Sequence, residues 1–430
     1  MEQTSTILTS EEADSIHVCK EYRDADENKP VEENLTSTFE SFWNICNTIQ
    51  GLPILAIPFA IRNGGYVSLL TLLVIAGASN YTGQVIVKCL YETSNGGKTK
   101  RVRNSYVDIG NAFWFKHGGH MVLITQVLQL LFVAAVYPLL VGRMVWKSFP
   151  SLPIPVPVWT AISGIAFLPN IFIKNLSQVA WTSIVTVVAA KIIFVTVFCY
   201  SMSQIHRWRG ASLEHFDFET FPAALGILVA SYLSQPFVPV IEGSMCEKNK
   251  FNILMNFSYT LMTILNVVIG IIAYISFYPN TAEVITNNLP EGAFRRIVNI
   301  MAALLAFTSF TLPMFTIFDV VQHSNLSFIP KGFGEKIWSV EVISFRLFFI
   351  FVSVLLASIV PNFSYLLAFV GSLAGISLEF IFPPLFHLKI YFHSLKWYQM
   401  LVDIIIISLG LTVSVTGAIF SGRSLIDSYG

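Results

Sequence analysis

Two short runs place helix-breaking residues beside polar ones inside apolar sequence. The first reads IQGLPILAIPFAIRNGG, with Gly51, Pro53 and Pro58 in its interior. The second reads SYLSQPFVPVIEG, with Pro236 and Pro239. Proline removes a backbone donor and clashes with the preceding helical turn. An unwound segment then exposes N–H groups at the start of one half-helix and carbonyls at the end of the other. The half-helix N-terminus favours a carboxylate, because its amides and dipole point at it. The freed carbonyls receive an ammonium group. A zwitterionic amino acid carries both groups, so this chemistry is binding rather than bond-making. Polar residues flank both breaks: Asn44, Asn47, Thr48 and Gln50 at the first, and Ser231, Tyr232, Ser234 and Gln235 at the second. Tyr137, Thr308, Ser309 and Thr311 are polar positions in other apolar runs. Taken singly, each of these hydroxyls and amides is more often interhelical glue than a ligand contact.

A second set of residues can titrate at membrane depth. Lys191, Glu242, Arg346 and Glu379 lie within apolar stretches, and Asp319 and Asp403 lie nearer stretch ends, where water is expected to reach them. Ionisable groups in a bilayer are costly and point to function or to pairing. Lys191 and Glu242 are the candidates for carrying a proton. Lys191 is expected to reach the first break and Ser309, or else to pair with Glu379. Arg346 stays charged and is expected to pair with a carboxylate.

The elements that position these residues follow from composition. The chain has 430 residues, 54% hydrophobic and 12% charged. A soluble domain carries about 25% charged residues, so this surface suits lipid rather than water. The formal net charge is zero, and no basic face for nucleic acid is implied. The five cysteines are not spaced for a metal, and the eight histidines lie in the tail, loops or span edges. No metal, cofactor or enzymatic constellation is expected.

A membrane helix needs about 20 predominantly apolar residues. Stretches near 41–61, 64–91, 119–147, 157–173, 177–200, 219–242, 251–278, 297–322, 341–360, 363–385 and 398–421 meet that description. The fold class is therefore an all-α polytopic membrane protein of about eleven spans. Residues 39–425 form one transmembrane domain. Residues 1–38 form an acidic tail whose first 34 positions hold ten acids and three bases. That tail is expected to be disordered and cytosolic, with the first span acting as an uncleaved targeting signal. Lysine and arginine divide sixteen to eight between the two sides if the N-terminus is cytosolic. The bias predicts that orientation, a luminal C-terminus and little glycosylation. The breaks fall in the first and sixth spans, five spans apart, which is the pattern of an inverted-repeat transporter. Spans 1–5 and 6–10 are the repeats, and span 11 is appended. A channel, the competing class, would present a ring of like residues from repeated units, and none is visible.

The runs SFWNICNTIQGLPILAIPFAIRNGGY, YTGQVIVKCLYE, RVRNSYVDIGNA, SQPFVPVIEGSM, AEVITNNLP and LLAFVGSLAGISLEFIFPPLFHL occur in order over about residues 40–425. Together they resemble the vesicular inhibitory amino acid transporters, a branch of the amino acid/auxin permease family. The resemblance implies a LeuT-type 5+5 inverted repeat plus one extra helix. It also implies proton-coupled exchange of GABA, glycine or a similar small amino acid across an intracellular, synaptic or secretory vesicle membrane. A vacuolar or lysosomal amino acid exporter of the same family is the alternative. Gly51 and Pro58 match the family's span 1 break, Tyr137 a span 3 tyrosine, and Glu242 and Gly243 the end of span 6. Ser309 and Pro313 match span 8, and Arg346 an arginine in span 9. Lys191 and Glu379 are not part of the family pattern. The residues expected to bind substrate are Asn47, Thr48, Gly51, Leu52, Tyr137, Ser231, Tyr232 and Gln235. Those expected to couple protons are Lys191, Glu242 and Ser309.

Overall fold

The computed structural model describes residues 35–93, 99–149, 151–210, 219–324, 338–360 and 363–427. Most of the acidic tail, with the disorder expected of it, lies outside these residues. Among the described residues, eight helices are long and apolar enough to cross a membrane. The three other expected spans hold shorter or broken helices.

Span 1 is α1 (Thr38–Gln50), a 3-10 turn over Leu52–Leu55, and α2 (Ile57–Gly64). Span 2 is α3 (Val67–Leu90). A hairpin of β1 (Tyr91–Thr93) and β2 (Thr99–Arg101), then α4 (Tyr106–Phe113), lead into span 3, α5 (Gly118–Ser148). Span 4 is α6 (Val156–Phe167) with a 3-10 extension over Leu168–Phe172, and span 5 is α7 (Leu176–Ser203). Span 6 splits into α8 (Phe221–Ala230) and α9 (Val238–Ser244). Span 7 is α10 (Phe251–Phe277), and α11 (Ala293–Ser309) with α12 (Thr311–Gln322) make span 8. Span 9 is α13 (Val340–Ile359). Span 10 passes from α14 (Phe363–Val370) through two π-helical stretches, Gly371–Gly375 and Ser377–Ile381, into α15 (Phe382–Ile390). Span 11 is α16 (Trp397–Asp427).

The broken spans are interior. α1 packs on α7 and α10, and α8 packs on α2, α14 and α16. α16 has only 17% of its apolar window buried, as an appended helix should. Its Ile404, Leu409, Leu411 and Val415 point outward, an apolar surface suited to lipid. The starting end of span 1 is tied to the finishing end of span 6. Thr36 N–H donates to Ser244 O at 2.7 Å, and Cys246 N–H donates to Thr36 O at 3.1 Å. A Ser37–Glu40 capping box begins α1, and Ser177 Oγ donates to Glu40 at 2.6 Å. Span 10 lies close against α8 because Gly371 has no side chain: a Cβ there would sit 3.2 Å from Ala230 N.

Two expectations for intramembrane charges are corrected. Arg346 does not pair with a carboxylate. It donates to Ile171 O and, at 2.8 Å, to Ile173 O, and lies over the Phe318 ring at 4.8 Å. Those carbonyls close the 3-10 end of span 4, where helical acceptors run out of donors. Asp403 does not reach water either. It is fully buried, with His387 Nδ1 at 2.8 Å and Tyr81 OH donating at 2.8 Å. His387 is itself buried, and Lys88 Nζ meets its Nε2 at 3.0 Å.

Candidate functional site

The first break opens the backbone. α1 stops at Gly51, whose φ of −36° and ψ of −132° leave the helical range. Pro53 then starts the 3-10 turn, and Pro58 sits in the first turn of α2, where its missing donor is harmless. Gly51 N–H donates back to Asn47 O at 3.1 Å. The groups after it face a cavity of about 40 Å³, bounded by Asn47, Thr48, Gly51, Leu52, Tyr137 and Ser309. By the volume one water needs, that is room for about three waters, the scale of the smallest amino acids. Phe237, Leu233, Val136, Leu312 and Leu367 supply apolar walls. Among the described residues, no charged side chain lines it. A Cβ on Gly51 would lie 3.2 Å from Asn47 O and 3.8 Å from the Tyr137 hydroxyl, so glycine keeps this wall of the cavity open. Ser309 Oγ is buried without a hydrogen-bond partner.

Beside the cavity, hydroxyls and amides join spans 1, 5 and 8. Asn47 Nδ2 donates to Ser183 Oγ at 3.0 Å, and Ser183 Oγ donates to Asn44 Oδ1 at 2.9 Å. Thr186 Oγ1 donates to Thr308 Oγ1 at 2.7 Å. This neutral cluster occupies the place expected for the Lys191 ammonium. Lys191 lies five residues beyond Thr186, about 7.5 Å further along α7. Its Nζ approaches Met262 Sδ at 3.8 Å. It therefore joins spans 5 and 7 rather than meeting Ser309. The other expectation, a pairing with Glu379, is also replaced, since Glu379 faces span 6.

The second break is strapped. Ser231, Tyr232 and Gln235, expected to touch substrate, all turn away from the cavity. Ser231 Oγ donates to Ile227 O at 3.1 Å. Tyr232 OH donates to Thr263 Oγ1 at 3.0 Å. Gln235 Nε2 donates to Ser79 O at 2.8 Å and Thr82 Oγ1 at 2.7 Å. Ser234 Oγ bonds Tyr259 OH and donates to Gln235 Oε1 at 3.0 Å. Gln126 Nε2 donates to Pro236 O at 2.9 Å, and Gln235 N–H points at Glu379 Oε2 at 3.4 Å. The apolar side chains Ala230, Leu233 and Phe237 are what this break turns toward the cavity.

Glu242 sits just past the break, fully buried. Tyr91 OH donates to its Oε1, and Arg101 Nε pairs with its Oε2 at 3.3 Å. Arg101 also donates to Pro239 O at 3.0 Å. Burial, with the Glu242 carboxylate alongside, pushes the Tyr91 hydroxyl up, so Tyr91 is a standing donor. Glu242 thus fastens the β1–β2 hairpin to the end of span 6. Sequence reasoning missed the apolar walls, which carry no polar signal, and the place of Glu379 beside the span 6 break, which depends on a contact between distant spans.

Residues 34–422 match the family model described as transmembrane amino acid transporter protein. The vesicular inhibitory amino acid transporter of Xenopus tropicalis is 35% identical over 91% of this chain and 78% of its own. The vesicular GABA transporter of Caenorhabditis elegans is 27% identical over 99% of this chain and 87% of its own. Among solved structures, MhsT in complex with L-phenylalanine aligns over 91% of this chain and 100% of its own, with TM-score 0.58 and 11% identity. That likeness is one of fold, a LeuT-type architecture broken at spans 1 and 6. The chain belongs to the transmembrane amino acid transporter protein family, in the branch of the vesicular inhibitory amino acid transporters.

Proposed function

We propose that the protein carries a small neutral amino acid, glycine- or GABA-like, across a vesicle membrane in exchange for protons. The observation that carries this reading is the cavity at the span 1 break. The unwound Gly51–Pro53 segment, Tyr137 and the unpaired Ser309 hydroxyl border it, and among the described residues no charged side chain does. A zwitterion matches that provision, because its carboxylate and ammonium are both served by main-chain dipoles. A ligand with net charge would lack a counter-ion. The apolar walls and the volume of about 40 Å³ favour a short side chain.

The construction supports a reading of alternating access. The half-helices beyond the breaks can swing while the strapped segments hold their neighbours, exposing the cavity first to one side and then to the other. The N-terminus is assigned to the cytosol and the C-terminus to the vesicle lumen, on the sixteen-to-eight bias of basic residues. The test is purified protein in proteoliposomes carrying a pH gradient, offered glycine, GABA, leucine and glutamate. Saturable uptake of glycine or GABA with little of the larger or charged substrates is expected. Uptake of glutamate equal to that of glycine would overturn the reading.

A further inference from the structure

We propose that Glu379 is the proton-binding residue of the transport cycle, and that the span 6 break senses its protonation through the main-chain N–H of Gln235. This assignment rests on the proton-coupled reading above and names the residue that carries it.

Glu379 is fully buried in the second π-helical stretch of span 10. A π-turn holds an extra residue, and such single turns recur at functional sites. Here it directs a carboxyl at the unwound segment of span 6. Oε2 receives the Gln235 N–H at 3.4 Å, a long bond. Among the described residues Oε1 is buried with no hydrogen bond of good geometry, although the Ser79 hydroxyl, the Ser234 N–H and the Gln235 amide lie around the carboxyl. Among the described residues, no lysine, arginine or histidine forms an ion pair with Glu379, whereas Glu242 has Arg101. A carboxylate stripped of water without a cation beside it is costly, and binding a proton removes that cost. The long bond and the open oxygen describe a site that a carboxylic acid fits, with Oε1–H free to donate to Ser79.

The titratable groups on the surrounding elements leave this site to Glu379. Tyr106 from α4 donates to Leu378 O, and Tyr259 from α10 is bonded to Ser234. Cys89 and Lys88 lie at the end of α3, Lys88 on His387. His387 of α15 and Asp403 of α16 bind each other. α5 presents amides, Gln126 being held by Pro236 O.

The coupling is mechanical. While the break is packed, the site is dry and favours the acid. When α9 swings and water enters, the carboxyl releases its proton to that side. The negative charge left at Glu379 then draws the Gln235 N–H and its neighbours until the break has repacked and opened to the acidic side, from which a proton returns. The proton is bound on the acidic side and released on the other, with no change in covalent structure beyond the O–H bond.

The test uses the full chain in proteoliposomes with labelled glycine and GABA. Wild type should show uptake driven by a pH gradient. Wild-type uptake with no response to pH would defeat proton coupling itself, and this proposal with it, before any variant is made. Glu379→Gln should keep counterflow exchange at equal pH and lose at least tenfold of gradient-driven uptake. Glu379→Asp should keep gradient-driven uptake with a displaced pH midpoint. Gradient-driven uptake at the wild-type level in Glu379→Gln overturns the assignment and leaves the proton-coupled reading standing. If Glu379→Gln transports nothing, thermal stabilisation by glycine in detergent decides as a function of pH. A profile flat in the variant and sloping in wild type supports the assignment, and an unchanged slope overturns it.

Discussion

The breaks in spans 1 and 6 occupy corresponding places in the chain and are finished in opposite ways. At span 1 Gly51, Leu52 and Pro53 of the unwound segment border a cavity, and Gly51 keeps that wall free of a side chain. At span 6 nearly every polar side chain is spent on neighbours: Gln235 on span 2, Tyr232 and Ser234 on span 7, the Pro236 carbonyl on span 3. One break is left available and the other is tied to its surroundings. A symmetric pair of breaks therefore yields an asymmetric site, with a cavity beside span 1 and a strapped segment at span 6.

The largest effect is expected from filling the open break. Gly51→Leu forces carbons against Asn47 O and the Tyr137 hydroxyl, and overpacking of that kind costs about 1–3 kcal/mol. That range is roughly 5- to 150-fold in affinity, and concentration-dependent uptake measures it. Wild-type affinity in this variant would erase the distinction between the breaks.

Next comes the strap. Gln235→Leu leaves Thr82, the Ser79 carbonyl and Ser234 short of a partner, at about 1–3 kcal/mol for unsatisfied buried groups. A lower Tm and a reduced maximal rate are expected, with little change in substrate KM. A KM effect as large as that of Gly51→Leu would show that span 6 also holds substrate.

Tyr137→Phe is expected to be milder. It removes one neutral hydroxyl from the cavity, worth about 0.5–1.5 kcal/mol, so KM should rise about 2- to 10-fold with the maximal rate preserved.

The smallest effect belongs where the two spans meet. Glu247 receives Lys250 Nζ at 2.6 Å and Thr38 Oγ1 at 3.0 Å. The Lys250 hydrogen bond, chiefly, holds its carboxyl below the usual carboxylate range. A depressed folded pKa adds stability at neutral pH that is lost as pH falls through that range. Glu247→Gln should therefore lower Tm slightly at neutral pH, and the gap should close on acidification. A gap that widens would reverse the sign.

The sequence carried the breaks plainly, because Gly51, Pro53, Pro58, Pro236 and Pro239 act locally. Six expected site residues, Asn47, Thr48, Gly51, Leu52, Tyr137 and Ser309, do line the cavity. Ser231, Tyr232 and Gln235 do not, because an unwound segment has no period from which to read where a side chain points. Arg346 and Asp403 were misjudged for a related reason. Their partners, the Ile171 and Ile173 carbonyls and His387 with Tyr81, come from other spans. Lys191 was placed by its depth along span 5, but a helix also fixes rotation, and Thr186 holds the face toward span 8.

Substrate protection of single cysteines tests the asymmetry most directly. Thr48→Cys and Ser231→Cys are made separately, with the five native cysteines replaced by serine, and reacted with a small thiol reagent in proteoliposomes. Both hydroxyls bond back along their own helices, but Thr48 lines the cavity and Ser231 does not. The account predicts that saturating glycine or GABA slows labelling of Thr48→Cys and leaves the rate at Ser231→Cys unchanged. Equal protection of both, or protection of Ser231→Cys alone, would contradict it.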